Sequence, residues 1–187
     1  MGDFRVIGDI GRSLRKVLES DPWEGLSPKP EIVFRPPGTE ERENPSMVSI
    51  LLFNVREMSQ LTSSPVPRSA DNFRGPPLML DLSYLVTAYS DDPIRGQDIL
   101  GKVMQILHGH PVITGPDLQG SLAGTGTDIR LSLHPLSPGE LASVRESFSC
   151  DSPHPSVCYV ATSAVIESAS EGSPGRERYS RRGGKGS

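Results

Sequence analysis

Few residues in this chain stand at spacings that do chemistry. Gly120, Gly124 and Gly126 form a cluster of the kind that cradles phosphate. No strong strand leads into it and no capped helix leaves it, as a dinucleotide site requires. Gly184-Lys185-Gly186-Ser187 matches the end of a phosphate-binding loop, but no helix follows to aim its N-terminal dipole at an anion. The four histidines, His108, His110, His134 and His154, make no HxxxH pair, and Cys150 and Cys158 make no CxxC, so no zinc site is expected. Two cysteines also fall short of a disulfide framework and read as small buried hydrophobes or loop thiols. No GxSxG holds a serine nucleophile. Asp81 and Glu57 are the carboxylates that could face each other across neighbouring strands; the plainer account is that each sits at a strand end or bonds to a neighbour. No catalytic, cofactor-binding or metal-binding residue is assigned, and the chain reads as a non-enzyme.

The elements that would carry such residues are clearer than the residues themselves. Phe4, Ile7, Ile10, Leu14, Val17 and Leu18 recur at helical spacing, with Arg5, Arg12, Arg15 and Lys16 on the other side, so residues 4–18 read as a helix capped by Asp3 and stopped at Asp21-Pro22. Glu31–Arg35 is a short strand ended by Pro36-Pro37. Val48–Glu57 is a strand nearly continuous in apolar character from Val48 to Phe53, which suits burial on both faces. Leu78–Tyr89 is the strongest strand, with Leu78, Leu80, Leu82, Tyr84 and Val86 on one face. Asp92-Pro93 opens a helix whose apolar face is Leu100, Val103, Met104 and Leu107, flanked by Ile99 and Ile106. Ile129, Leu131 and Leu133 alternate as a half-buried strand. Ser137 and Glu140 form a capping box for a helix burying Leu141, Val144 and Phe148, and a last strand runs from Val157 to Ile166. The order α-β-β-β-α-β-α-β predicts a single α/β or α+β domain over residues 1–168: a mixed sheet of about five strands with about three helices. Residues 169–187 follow as a Gly/Ser/Arg-rich tail, expected to be flexible.

Composition limits the partners. Gly and Pro number 19 and 18 among 187 residues, about one in five, which excludes a coiled coil. These breakers crowd into 22–47, 59–77, 111–127 and the tail. No apolar run approaches the roughly 18 residues of a membrane span. The N-terminus lacks the pattern of a signal peptide, Val6 stands where myristoylation wants Ser or Thr, and Pro45 disqualifies the sequon at Asn44. The cytosol is the expected compartment. Residues 171–187 hold Arg176, Arg178, Arg181, Arg182 and Lys185 against Glu171 and Glu177, a balance of +3; with a whole-chain net of −4, the remainder carries −7. A body that acidic argues against nucleic acid. The tail reads as a solvated terminus or as an arm that docks on an acidic partner.

Leu78–Pro111 carries a resemblance. The strand Leu80, Leu82, Tyr84, Leu85, Val86, Thr87, Ala88, the acidic turn Asp91-Asp92, then Leu100-Gly101, Leu107-His108 and Pro111 resemble the signature of tube-terminating cap proteins in phage-tail-like contractile injection systems of the antifeeding-prophage type. The N-terminal helix, VSILLFNVRE and Pro155-Ser156…Tyr159 extend the likeness over about residues 4–166. Asp98 stands where the pattern has a histidine, and Val144 where it has a tryptophan. Most of these residues are core: they identify the fold and do not perform the function.

The resemblance implies a tail-terminator-like fold and a structural cap. Such a cap is expected to form a six-fold ring on the last tube ring, stop tube and sheath growth at the distal end, and anchor the sheath. Its expected partners are itself, the inner-tube protein and the sheath protein, with no cofactor, nucleic acid or membrane. It would assemble in the cytoplasm, with release in an extracellular particle left open. The contacts are expected from the 59–77 loop with Arg68 and Arg74, the 112–127 loop, and the basic tail. Another structural component or assembly adaptor of the same particle, or a small enzyme, remains an alternative.

Overall fold

The computed structural model describes residues 4–35, 45–58, 78–148 and 154–166, with side chains in the last segment to Thr162. The elements are α1 (Val6–Ser20), β1 (Glu31–Val33), β2 (Ser46–Glu57), β3 (Leu78–Ser90), α2 (Pro93–Gly109), β4 (Val112–Ile113), β5 (Ile129–His134), α3 (Pro138–Ser147) and β6 (Ser156–Ile166), with short 3-10 turns at Gly115–Asp117 and Gly120–Leu122. The six strands form one sheet in the order β1-β2-β3-β6-β5-β4. β1 is parallel to β2 and the remaining pairs are antiparallel. The sheet is mixed, as expected, and gains β4, a strand too short to leave a periodic trace in the sequence.

Helix α1 forms where the apolar spacing requires. Val6, Ile10, Leu14, Val17 and Leu18 are all buried. Its start has no side-chain cap at Arg5, and Asp3 lies outside the described residues. Its end is satisfied from downstream: Trp23 Nε1 donates to the Leu18 carbonyl (2.9 Å) and Lys29 Nζ to that of Glu19 (2.6 Å), two of the carbonyls a helix leaves unpaired. Helix α2 begins at Asp92, whose carboxylate accepts the Ile94 amide (2.9 Å), with Pro93 in the first turn. It is rotated from the expected face. Ile99, Val103, Ile106 and Leu107 are buried, while Leu100 and Met104 are half-buried. Helix α3 has the expected capping box. It buries nothing fully, however: Leu141, Val144 and Phe148 are only half-buried.

The core lies on one face of the sheet. Val48 and Ile50 of β2, Leu82, Tyr84, Val86 and Ala88 of β3, and Tyr159 and Ala161 of β6 pack against α1 and α2. Each large apolar side chain so buried contributes about 1.5–3 kcal/mol relative to exposure. β2 departs from the double-sided burial its sequence predicts: Ser46–Ile50 are buried, Leu51–Phe53 half-buried, and Asn54–Glu57 exposed beyond the helical layer. Two register shifts mark that region, between Leu52 and Asn54 against β3 and between Leu80 and Asp81 against β6. Each strand beside β3 thereby carries one extra residue, Phe53 and Ser163.

Tyr84 sits deepest among the polar side chains of β3, 2% exposed, and its hydroxyl finds no hydrogen-bond partner among the described residues. Burial pushes its ionisation far above the usual tyrosine range. An unpaired buried hydroxyl costs about 1–3 kcal/mol. Tyr84→Phe is therefore expected to leave the melting temperature unchanged or raise it by a few degrees. A clear fall in thermal unfolding would show that the hydroxyl has a partner.

Candidate assembly surfaces

The structure places the candidate catalytic groups apart. Across β2 and β3, Arg56 rather than Glu57 stands opposite Asp81, and Glu57 stands opposite Leu80. Without the bulge at Phe53, Asp81 would stand opposite Val55, so the bulge moves it one step toward Glu57 and still leaves the two unpaired. Asp81 instead accepts the Thr162 hydroxyl (2.9 Å). The histidines also separate. His108 and His134 are exposed, His110 Nδ1 lies 2.9 Å from the Ile106 carbonyl, and His154 packs edge-on against Tyr89 with centroids 4.4 Å apart. Cys158 is buried and its thiol is pushed up to about 11 by desolvation, the character of a packing residue; Cys150 lies outside the described residues.

The residues of the family-like signature fall into three groups. Leu80, Leu82, Tyr84, Leu107 and Tyr159 are core. Leu85 and Thr87 face the other side of β3, where the Thr87 hydroxyl is 2.9 Å from that of Ser156. Leu100, Gly101 and Pro111 are half-buried or exposed, and the Pro111 carbonyl receives the Leu131 amide (2.8 Å). Arg68, Arg74, Arg176, Arg178, Arg181, Arg182 and Lys185 all lie outside the described residues.

One polar cluster escaped the sequence reading altogether. Asp9, Ser13 and Lys16 follow one another at helical spacing along α1 and hold residues 116–121 down. Asp9 is 1% exposed and accepts the Ser121 amide (2.8 Å) and hydroxyl (2.5 Å), and the Arg12 Nε (3.0 Å). Ser13 Oγ donates to the Asp9 carbonyl (2.8 Å) and accepts the Gln119 amide (2.9 Å). Lys16 Nζ reaches the Pro116 carbonyl (2.7 Å). Burial alone would raise the Asp9 pKa; the bonds from Ser121 and Arg12 outweigh it and hold the carboxyl below its ordinary value. The 112–127 segment is expected to make contacts with partners. Much of it is fixed by its own helix, with Leu118 and Leu122 buried beneath.

What remains available for contacts lies at the ends and edges of the sheet. β2 finishes at Glu57, β3 starts at Leu78 and β6 finishes at Ile166; Glu57 pairs with Leu80, and Leu78 with Ile166. The 59–77 segment and the C-terminal segment therefore leave from neighbouring strands at one end of the sheet, near exposed Arg56 and Arg130. An apolar pocket of about 220 Å3 opens between β5 and α3, lined by Leu85, Leu133, Leu136, Leu141, Val157 and Cys158 among others. No helix among the described residues is long and apolar enough to cross a membrane.

A family model described as the Pvc16 N-terminal domain matches residues 9–177. The chain belongs to that family. Solved structures share the fold of this Pvc16 N-terminal domain. One is the sheath/tube terminator of an extracellular contractile injection system, PVC, in the extended state: TM-score 0.62 at 20% identity, covering 88% of this chain and 57% of that one. Another is the anti-feeding prophage cap, a tube-terminating cap: TM-score 0.61 at 18% identity, covering 88% of this chain and 56% of that one. The chain thus spans little more than half the length of each. No curated protein sequence matches it. The terminator-like mixed α+β fold expected from Leu78–Pro111 is the fold observed.

Proposed function

We propose that this chain is a structural cap of a contractile injection particle. It closes as a hexameric ring on the last ring of the inner tube, ends tube and sheath polymerisation at the distal end, and anchors the sheath to the tube. The observation that carries this reading is the family match over residues 9–177. The likeness to two terminator and cap structures supports it. The work needs no catalysis, and the dispersal of Asp81, Glu57 and the histidines fits a non-enzyme that acts through its surfaces.

Residues 1–168 form the cap domain and 169–187 a basic arm. Arg68 and Arg74 in 59–77, and Arg176, Arg178, Arg181, Arg182 and Lys185 in the arm, supply contacts to the tube and sheath proteins. Both segments leave from the same end of the sheet, which gives that end a basic character on an otherwise acidic body. Cations there suit a complementary acidic surface and speed encounter. Assembly takes place in the cytoplasm.

Deletion of the gene followed by imaging of particles tests the cap reading. Tubes of uncontrolled length, or tubes stripped of sheath, are the expected result. Particles of normal length with sheath attached would overturn it. Removing residues 171–187 alone should weaken tube or sheath association, and normally capped particles without them would defeat the role of the arm.

A further inference from the structure

The sheet ends in two edges that complement each other. β1 offers Glu31–Val33, and among the described residues no strand pairs with its outer side. At the far edge β4 pairs only with Ile129 and Arg130 of β5, and the Leu131 amide goes to Pro111. Main-chain groups alternate in direction along an antiparallel strand, so Leu133 turns its amide and carbonyl the same way as Leu131, outward. Ser132, Leu133 and His134 are therefore paired with β6 on one side and with no described strand on the other. Each open stretch is three residues long, and on β5 the outward main-chain groups are those of Leu133.

The side chains match as well. Leu133 is 53% exposed, and Phe34, which directly follows β1, is 43% exposed. Both lie on the helix-bearing face: Phe34 sits over Gly11 of α1, and Leu133 stands opposite the core residue Tyr159. On the other face β1 carries the exposed Glu31, while β5 carries the exposed Arg130 and His134 and no carboxylate. Glu140, whose charge His134 feels, is already bound by Ser137.

We propose that β1 of one copy adds to the free stretch of β5 of the next, with Glu31 beside His134, Ile32 beside Leu133 and Val33 beside Ser132. A shift toward Arg130 meets β4, and a shift the other way runs off the end of β5. β1, β2 and β6 run one way and β3 and β5 the other, so rotation about an axis along the strands brings β1 antiparallel to the neighbouring β5. Joining one edge to the opposite edge is a heterologous contact, the kind that closes into a ring. Main-chain bonds supply the adhesion and the flanking side chains the specificity. This contact rests on the ring reading above.

Paired cysteines test it. Glu31→Cys with His134→Cys, in the full chain within assembled particles, would place Cβ atoms about 4.5–5.5 Å apart across the interface, a distance small shifts bring within disulfide reach. A reductant-sensitive ladder of covalent multimers is expected, about tenfold or more above either single variant. A double variant that caps particles of normal length yet stays monomeric overturns the edge contact and leaves the cap reading intact. Wild-type particles without this chain at the tube end overturn the reading itself. If the double variant is not incorporated, Leu133→Asp decides: ring occupancy should fall about tenfold, since a charge would be buried there, and unchanged occupancy defeats the contact.

Discussion

Asp9→Ala should lower stability by about 2–3 kcal/mol, because the substitution leaves the Ser121 amide and hydroxyl without their acceptor in a buried place. For a chain of this length that corresponds to a fall of about 5–10 °C in melting temperature. The effect comes from the loop side. Arg12 is 55% exposed and loses little on release, whereas residues 116–121 lose their central tie. Protonation should act in the same direction. The Asp9 carboxyl is held below its ordinary value of 3.8 in the folded chain, so its contribution is fully present above that pH and is lost as pH falls through the depressed folded value. Urea unfolding of the wild type and of Asp9→Asn between pH 6 and about pH 2 measures this. The two stabilities should converge at the acid end, and parallel curves across the range would remove Asp9 from the account.

Gly120→Ala should be at least as damaging, for a reason unconnected with helix or strand propensity. Gly120 has φ +60°, a region that costs a side-chain-bearing residue about 1–2 kcal/mol. A Cβ built there would lie 2.0 Å from Asp9 Oδ1 and 2.4 Å from its Cγ. The alanine must expel the Asp9 carboxylate, so the strain and the lost hydrogen bonds act together, about 3–4 kcal/mol in sum. The two substitutions should therefore be strongly non-additive. Once Asp9 is alanine the clash disappears, and Gly120→Ala should add only the conformational cost. Additive effects in a thermal or chemical double-mutant cycle would show that Gly120 and Asp9 do not share this contact.

That pair illustrates what the sequence reveals and what it hides. Periodicity exposes elements whose apolar residues repeat, which is why α1, β3, the α2 start at Asp92-Pro93 and the α3 capping box are legible. It does not expose a polar residue buried by a distant partner. Asp9 falls between apolar positions of α1, and Ser121 lies 112 residues away, so nothing local announces the tie. Gly120 gives a visible signal, a glycine cluster, that invites comparison with phosphate loops; the cause is close approach to Asp9. The rotation of α2 by one position has a similar origin. Ile99–Val103–Ile106–Leu107 and Leu100–Val103–Met104–Leu107 are equally good helical stripes, and only the packing partner chooses between them. The Glu57–Asp81 pairing fails because strand register is set by packing across the sheet, which spacing along the sequence does not reveal.

The candidate contacts divide along the same line. The family-like signature is legible because it is core, and core residues say which fold is built. The basic residues expected to touch partners fall outside the described residues, in segments without a periodic apolar pattern. The edges became visible only with the strand order, since neither Glu31–Val33 nor Ser132–His134 looks unusual as sequence.

The extra residues Phe53 and Ser163 set a reading frame for the sheet. Upstream of Phe53 the even-numbered positions of β2 look toward the helices, and downstream the odd-numbered ones do: Leu52 stands opposite Tyr84, but Val55 stands opposite Leu82. Closing the bulge with every residue kept would restore the simple count and turn Asn54 and Arg56 inward while presenting Val55 to the opposite side, whereas deleting Phe53 would leave those faces as they are. The bulge itself, rather than the identity of residue 53, keeps those polar side chains out of the helical layer. A regular ladder through all of β2 would have to misplace a charge, whereas a strand without Phe53 would not.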